Sequence, residues 1–138
     1  MRKAIAASAL ALVSAAGCLV LAPAASAAPA ACVTVTLKTG AYQGVGGTAT
    51  KSSSSSCGDL NLTYSDDSTT TYGDEYAGRL YHTSSSSWVT CSKGYVWASD
   101  GSHSVNDSTY WLCTDVSGGT KFTVASYYDG GDTVRITH

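Results

Sequence analysis

The stretch that decides the fold runs Trp88-Val89-Thr90-Cys91, Ser92-Lys93-Gly94, Tyr95-Val96-Trp97-Ala98, a polar loop Ser99–Ser108, then Thr109-Tyr110-Trp111-Leu112-Cys113. It holds all three tryptophans and two of the cysteines. β-Branched and aromatic residues fill three short segments, separated by a glycine turn and a serine-rich loop. That pattern predicts three strands. Successive side chains of a strand point to opposite faces. Val89 therefore shares a side with Cys91, and Trp111 with Cys113, so that Trp111 would pack on a Cys91–Cys113 bridge as tryptophan does in β-sandwiches. Tyr95 and Trp97 share one face of their strand, Val96 and Ala98 the other.

The same two-residue period continues on both sides. Upstream, Cys32–Lys38 and Leu60–Ser65 alternate apolar and polar residues, and Glu75–His82 places Tyr76, Gly78, Leu80 and His82 on one face. Downstream, Phe122, Val124 and Ser126 alternate with Thr123, Ala125 and Tyr127. Asp129-Gly130-Gly131-Asp132 is a strong hairpin signal, and Thr133–Thr137 is the expected return strand, with Val134 and Ile136 on one side. Gly40–Gly47 reads as a glycine-rich loop or bulge, Asp66-Asp67-Ser68 as a turn, and Thr83–Ser87 as a serine-rich loop. Lys51–Ser56 is low-complexity and is expected to form a loop that does not pack. No segment keeps a helical period. Seven or eight short strands predict an all-β domain, a small disulfide-stapled β-sandwich or SH3-like barrel.

The chain opens with Met1-Arg2-Lys3, an alanine-rich apolar run and small residues at Ala25-Ser26-Ala27 and Ala28-Pro29-Ala30. This is the pattern of a secretory signal peptide over 1–27, with cleavage at 27 or 30. Residues 31–138 then form one domain of about 110 residues, secreted and not membrane-embedded. Loss of Cys18 leaves Cys32, Cys57, Cys91 and Cys113. Four cysteines in an exported domain allow three pairings. The sequential one, Cys32–Cys57 and Cys91–Cys113, is favoured, each bridge adding roughly 3–4 kcal/mol.

Composition excludes several function classes. Without Arg2 and Lys3 the domain has six basic against ten acidic side chains. No basic patch remains, so nucleic acid is not an expected partner. There is no G-x-S-x-G elbow and no H-E-x-x-H. Asp100 and His103 share one loop with Ser102 and Ser104, but residues this close rarely build a nucleophile, base and orienting acid by themselves. No catalytic residue is assigned and no enzyme activity is expected. Cysteine–histidine clusters for zinc are absent. Asp66–Thr70 resembles the calcium loop of βγ-crystallins slightly, yet the aromatic–glycine pattern of that family is missing. It is read as a turn, and no metal or cofactor is expected.

Aromatic display is the strongest functional signal. If Val96 and Ala98 face inward, the rings of Tyr95 and Trp97 stand in solvent, with Tyr127 and Tyr128 as further candidates; the converse, with Tyr95 and Trp97 in the core and the small pair outward, is the commoner arrangement for large aromatics. Flat apolar rings beside hydrogen-bonding groups suit a glycan or a peptide strand. Tyr110-Trp111-Leu112, Gly118-Gly119 and Phe122–Tyr128 resemble the last strands of small secreted bacterial SH3-like domains of actinobacterial type. The resemblance covers 88–128; Gly78-Arg79-Leu80 departs from the family's upstream turn. It implies a non-catalytic domain that binds cell-wall or other peptides. The expectation is a monomer binding an extracellular glycan, cell-wall peptide or protein. The alternative is an inhibitor of an extracellular hydrolase, presenting Ser99–Ser108 from a rigid frame.

Overall fold

The computed structural model describes residues 31–69, 72–105 and 107–138; the signal-peptide reading lies outside them. Ten strands form two five-stranded antiparallel sheets packed face to face. In the first, the order is β1 (Thr34–Lys38), β10 (Thr133–Thr137), β3 (Leu60–Asp66) and β7 (Gly101–Ser102), with β8 (Trp111–Cys113) also on β3. In the second it is β2 (Thr48–Thr50), β9 (Lys121–Ser126), β4 (Gly73–His82) and β5 (Ser87–Thr90), with β6 (Val96–Ser99) also on β4. This is a disulfide-stapled β-sandwich. Among the described residues the helical part is one 3-10 turn, Ser108–Tyr110. No helix among them is long and apolar enough to cross a membrane.

Alternation builds the core. Leu60, Leu62, Val134 and Ile136 come from the first sheet, and Tyr76, Phe122, Val124 and Ala98 from the second; all are fully buried. Burying a side chain of this size stabilises by about 1.5–3 kcal/mol. Cys91 and Cys113 are joined across the two sheets, and Cys32 and Cys57 are joined ahead of β1 and β3. Gly78 makes the first bridge fit: a Cβ there would collide with the Cys113 sulfur and with Leu112.

Three local expectations change. Trp111 does not sit on the Cys91–Cys113 bridge; it shares a recess with Cys32 and Cys57, its indole N–H donating to the Val105 carbonyl. The register of β8 against β3 shifts between Leu60 and Asn61, so Leu112 and Cys113 are both buried. Val89 is exposed although Cys91 is partly buried, because Cys91 lies past the end of β5 and the alternation stops at Thr90. Lys51–Ser56 does pack: Lys51 and Ser54 are buried, and the Lys51 backbone bonds Thr120 and Gly119. Serines carry enough donors and acceptors to replace a regular ladder.

The strand order brings several crossovers to one end. β3 leads to β4, β9 to β10, β1 to β2 and β6 to β7 there, because Gly73 pairs with Ser99 and Lys38 with Thr133. The candidate site lies at this end.

Candidate functional site

Val96 and Ala98 pack on the core while Tyr95 and Trp97 point away from it, Trp97 being 54% exposed. Ala125 opposes Ala77, and Tyr127, two residues on, continues the same outer face; its N–H donates to the Glu75 carbonyl. The sequence candidates Tyr95, Trp97, Tyr127 and Tyr128 therefore gather around one region of the second sheet. A fifth ring, Tyr42, joins them from Gly40–Gly47. It stacks on Tyr95 with centroids 5.7 Å apart and meets Tyr127 edge-on at 5.2 Å. Tyr95 and Tyr127, and Tyr127 and Tyr128, also meet edge-on. These are the geometries that aromatic quadrupoles favour.

The Tyr42 loop is fixed rather than draped. The buried Arg79 guanidinium donates to the carbonyls of Gln43 and Gly44 from below, and to Trp88 at 3.1 Å. The Gln43 N–H donates to the Tyr95 hydroxyl at 2.9 Å. Thr123 donates to the Gly47 carbonyl at 2.7 Å. Nothing in the local pattern of Gly40–Gly47 singled out Tyr42, because its neighbours are set by Arg79, far away in sequence.

Trp97 and Tyr128 line a recess of about 280 Å³ together with Asp67, Thr69, Gly73 and Asp129. Two rings thus stand over a carboxylate-bearing wall. Tyr128 is 71% exposed. Asp129 is held above the ordinary carboxylate range by desolvation first and then by Asp132, Asp67 and Asp74. Asp67 accepts from the Thr69 N–H and hydroxyl and donates its own N–H to Asp100 at 2.9 Å. The Ser126 hydroxyl lies between the Asp74 carboxylate and the Asp129 carbonyl and gives its single proton to one of the two. Asp67, Asp129 and Asp132 each bring one carboxylate oxygen within 4.8 Å of the others.

The Ser99–Ser108 loop is tied to the first sheet. Gly101 and Ser102 pair with β3, and the His103 N–H donates to the Thr63 carbonyl. The His103 ring stacks on Tyr110 at 4.1 Å, and its Nε2 is 2.9 Å from the Ser65 hydroxyl. Ser65 donates its only proton to the Ser99 carbonyl, so His103 Nε2 is the donor of that bond. A ring protonated at Nε2 cannot act there as a base toward Ser65, which is moreover fully buried. Burial pushes His103 below its ordinary pKa, against the pull of Asp107. Asp100 faces the Asp67 N–H, so Asp100 and His103 are engaged separately.

No protein-family model, curated protein or solved structure matches this chain.

Proposed function

We propose that the protein is a secreted, non-catalytic binding module that docks a cell-envelope glycan against Trp97 and Tyr128. The observation that carries this reading is the pair of exposed rings flanking a recess that also offers the Asp67 and Asp129 carboxylates. The apolar face of a sugar ring stacks on an indole or phenol, and its hydroxyls donate to carboxylates. Tyr127, Tyr95 and Tyr42 extend the aromatic surface for further sugar units. Aromatics already packed on one another lose little rotamer freedom on binding. Export is supported by the two disulfides, which persist in oxidising compartments. The tied-down Ser99–Ser108 loop lends no support to the inhibitor reading.

Retention of the folded protein on purified cell wall and on isolated polysaccharides tests this function. Trp97→Ala is expected to weaken retention about tenfold, the equivalent of roughly 1.4 kcal/mol. Failure of the wild-type protein to bind any glycan would sink the reading. Retention on cell-wall peptide alone would transfer the same surface to a peptide ligand.

A further inference from the structure

The end of the sandwich beneath the recess carries a chemistry that sugar stacking does not require. Asp67 follows β3, and Asp129 and Asp132 frame the turn into β10. One carboxylate oxygen of each lies within 4.8 Å of the others. Calcium sits about 2.3–2.6 Å from its ligands, so two ligands of one ion stand at most about 5 Å apart. The three oxygens meet that distance condition as they stand.

These are not three solvated surface acids. Asp132 is fully buried and Asp67 is 8% exposed. Asp132 Oδ1 accepts the Ser68 N–H at 2.8 Å, while buried Oδ2 accepts no hydrogen bond from the described residues. None of the three carboxylates is in an ion pair with a described lysine, arginine or histidine. Lys38, the nearby cation, is held by the Gly131 carbonyl at 2.9 Å and the Thr133 hydroxyl at 2.8 Å. Buried carboxylates are otherwise found paired or bound to metal.

A side chain outside the cluster marks the same spot. Tyr76 belongs to the core of the second sheet and is fully buried. Its hydroxyl has no hydrogen-bond partner among the described residues, although Asp132, Asp74 and Asp67 act on it electrostatically. Buried hydroxyls are ordinarily satisfied. Here one polar group from the sheet and three from the crossovers converge, and they lack a common partner of positive charge.

We propose that Asp67, Asp129 and Asp132 hold a calcium ion at the base of the Trp97–Tyr128 recess. The donor set is all oxygen, which suits calcium, whereas protein zinc sites are built mainly on histidine nitrogen and cysteine sulfur. The four cysteines of the domain are consumed by disulfides. Calcium accepts six to eight ligands in irregular geometry, so water entering from the recess completes its shell. Asp67 and Asp129 border both the cluster and the recess, which gives the ion a route in. The ion site does not depend on the glycan reading, and each survives failure of the other.

The test is calcium titration into the disulfide-bonded protein after chelator treatment, read by calorimetry and by the thermal midpoint. Terbium provides a second probe, since Trp97 and Tyr128 are placed to sensitise its emission. Calcium is expected to release heat and raise the midpoint. Asp129→Asn is expected to weaken calcium about tenfold or more, because affinity follows ligand charge. It should fold normally, since its carboxylate takes no hydrogen bond from the described residues. Asp132→Asn keeps an oxygen for the Ser68 N–H and serves as the second variant. Asp115→Asn, outside the cluster, should bind like wild type. Absence of heat, midpoint shift and terbium emission at millimolar ion would overturn the site. Unchanged calcium affinity in both Asp129→Asn and Asp132→Asn would overturn it equally.

Discussion

At one end of the sandwich His138 is buried edge-on against Phe122, its Nδ1 accepting the Ser52 N–H at 2.9 Å and its carbonyl accepting the Ser52 hydroxyl at 2.5 Å. Lys51 is buried beside it and donates to the Ser52 carbonyl at 3.0 Å. At the opposite end Asp132 is buried just as deeply, among Asp67, Asp129 and the Tyr76 hydroxyl. Both ends take titratable groups out of water, but they have different remedies. Burial lowers the pKa of His138, first by desolvation and then through Lys51, so the imidazole sheds its charge by releasing a proton. A carboxylate sheds its charge only by taking a proton up, and little is offered at neutral pH. The acidic end is therefore the one that calls for an outside cation.

The contrast can be broken most forcefully at the histidine end. Phe122→Ala removes the fully buried ring on which His138 rests and is expected to cost about 3–5 kcal/mol in denaturant unfolding. A loss under about 1 kcal/mol would mean that this end is not built on the core. A matched pair of hydroxyl deletions sharpens the comparison. Ser52→Ala is expected to cost about 1 kcal/mol, because it breaks a made hydrogen bond. Tyr76→Phe, measured in chelator, is expected to cost nothing or to stabilise by about 1 kcal/mol, because it removes an unpaired buried donor. Equal losses in the two variants would abolish the distinction.

The smallest effect is in pH. His138 lies below its ordinary 6.5 when folded, so its contribution is complete above pH 6.5 and is lost as pH falls below it. Asp129 lies above its ordinary 3.8, so its contribution is complete below pH 3.8 and is lost as pH rises through the folded value. The two ends thus respond to acid with opposite signs. His103 shares the sign of His138, so the difference between wild type and His138→Asn isolates the histidine end. Asp129→Asn, in chelator, should flatten the acid limb. Identical pH profiles for wild type and either variant would refute the corresponding assignment.

Much of the framework was legible in the sequence, and the reason is local. Phe122, Val124, Val134 and Ile136 follow a period that a strand imposes residue by residue, and the sequential cysteine pairing, favoured among three, is the one formed. Exposure of Trp97 was not legible: the alternation separates Tyr95 and Trp97 from Val96 and Ala98 but does not say which pair faces in, and large rings more often fill a core. The acidic end was not legible. Asp67 reads as a turn residue, and Asp129 and Asp132 as flanks of a hairpin glycine pair. They meet because the β3–β4 and β9–β10 crossovers use the same end, which is a property of strand order. That turn does not join neighbouring strands of one sheet; it passes from one sheet to the other. Lys51–Ser56 was misread for a related reason: a serine run has no pattern of its own, and His138 and Gly119 gave it one.

The Cys91–Cys113 bridge has a further consequence for resistance to proteolysis. It closes a covalent ring containing β6, β7 and the rest of the polar loop that leads on to β8. A single cut inside that ring leaves two polypeptides that cannot diffuse apart. β6 remains paired to β4 and β7 to β3, so the severed chain keeps the contacts by which it was assembled. Nicking alone would then leave the aromatic face in place, and inactivation would need reduction as well.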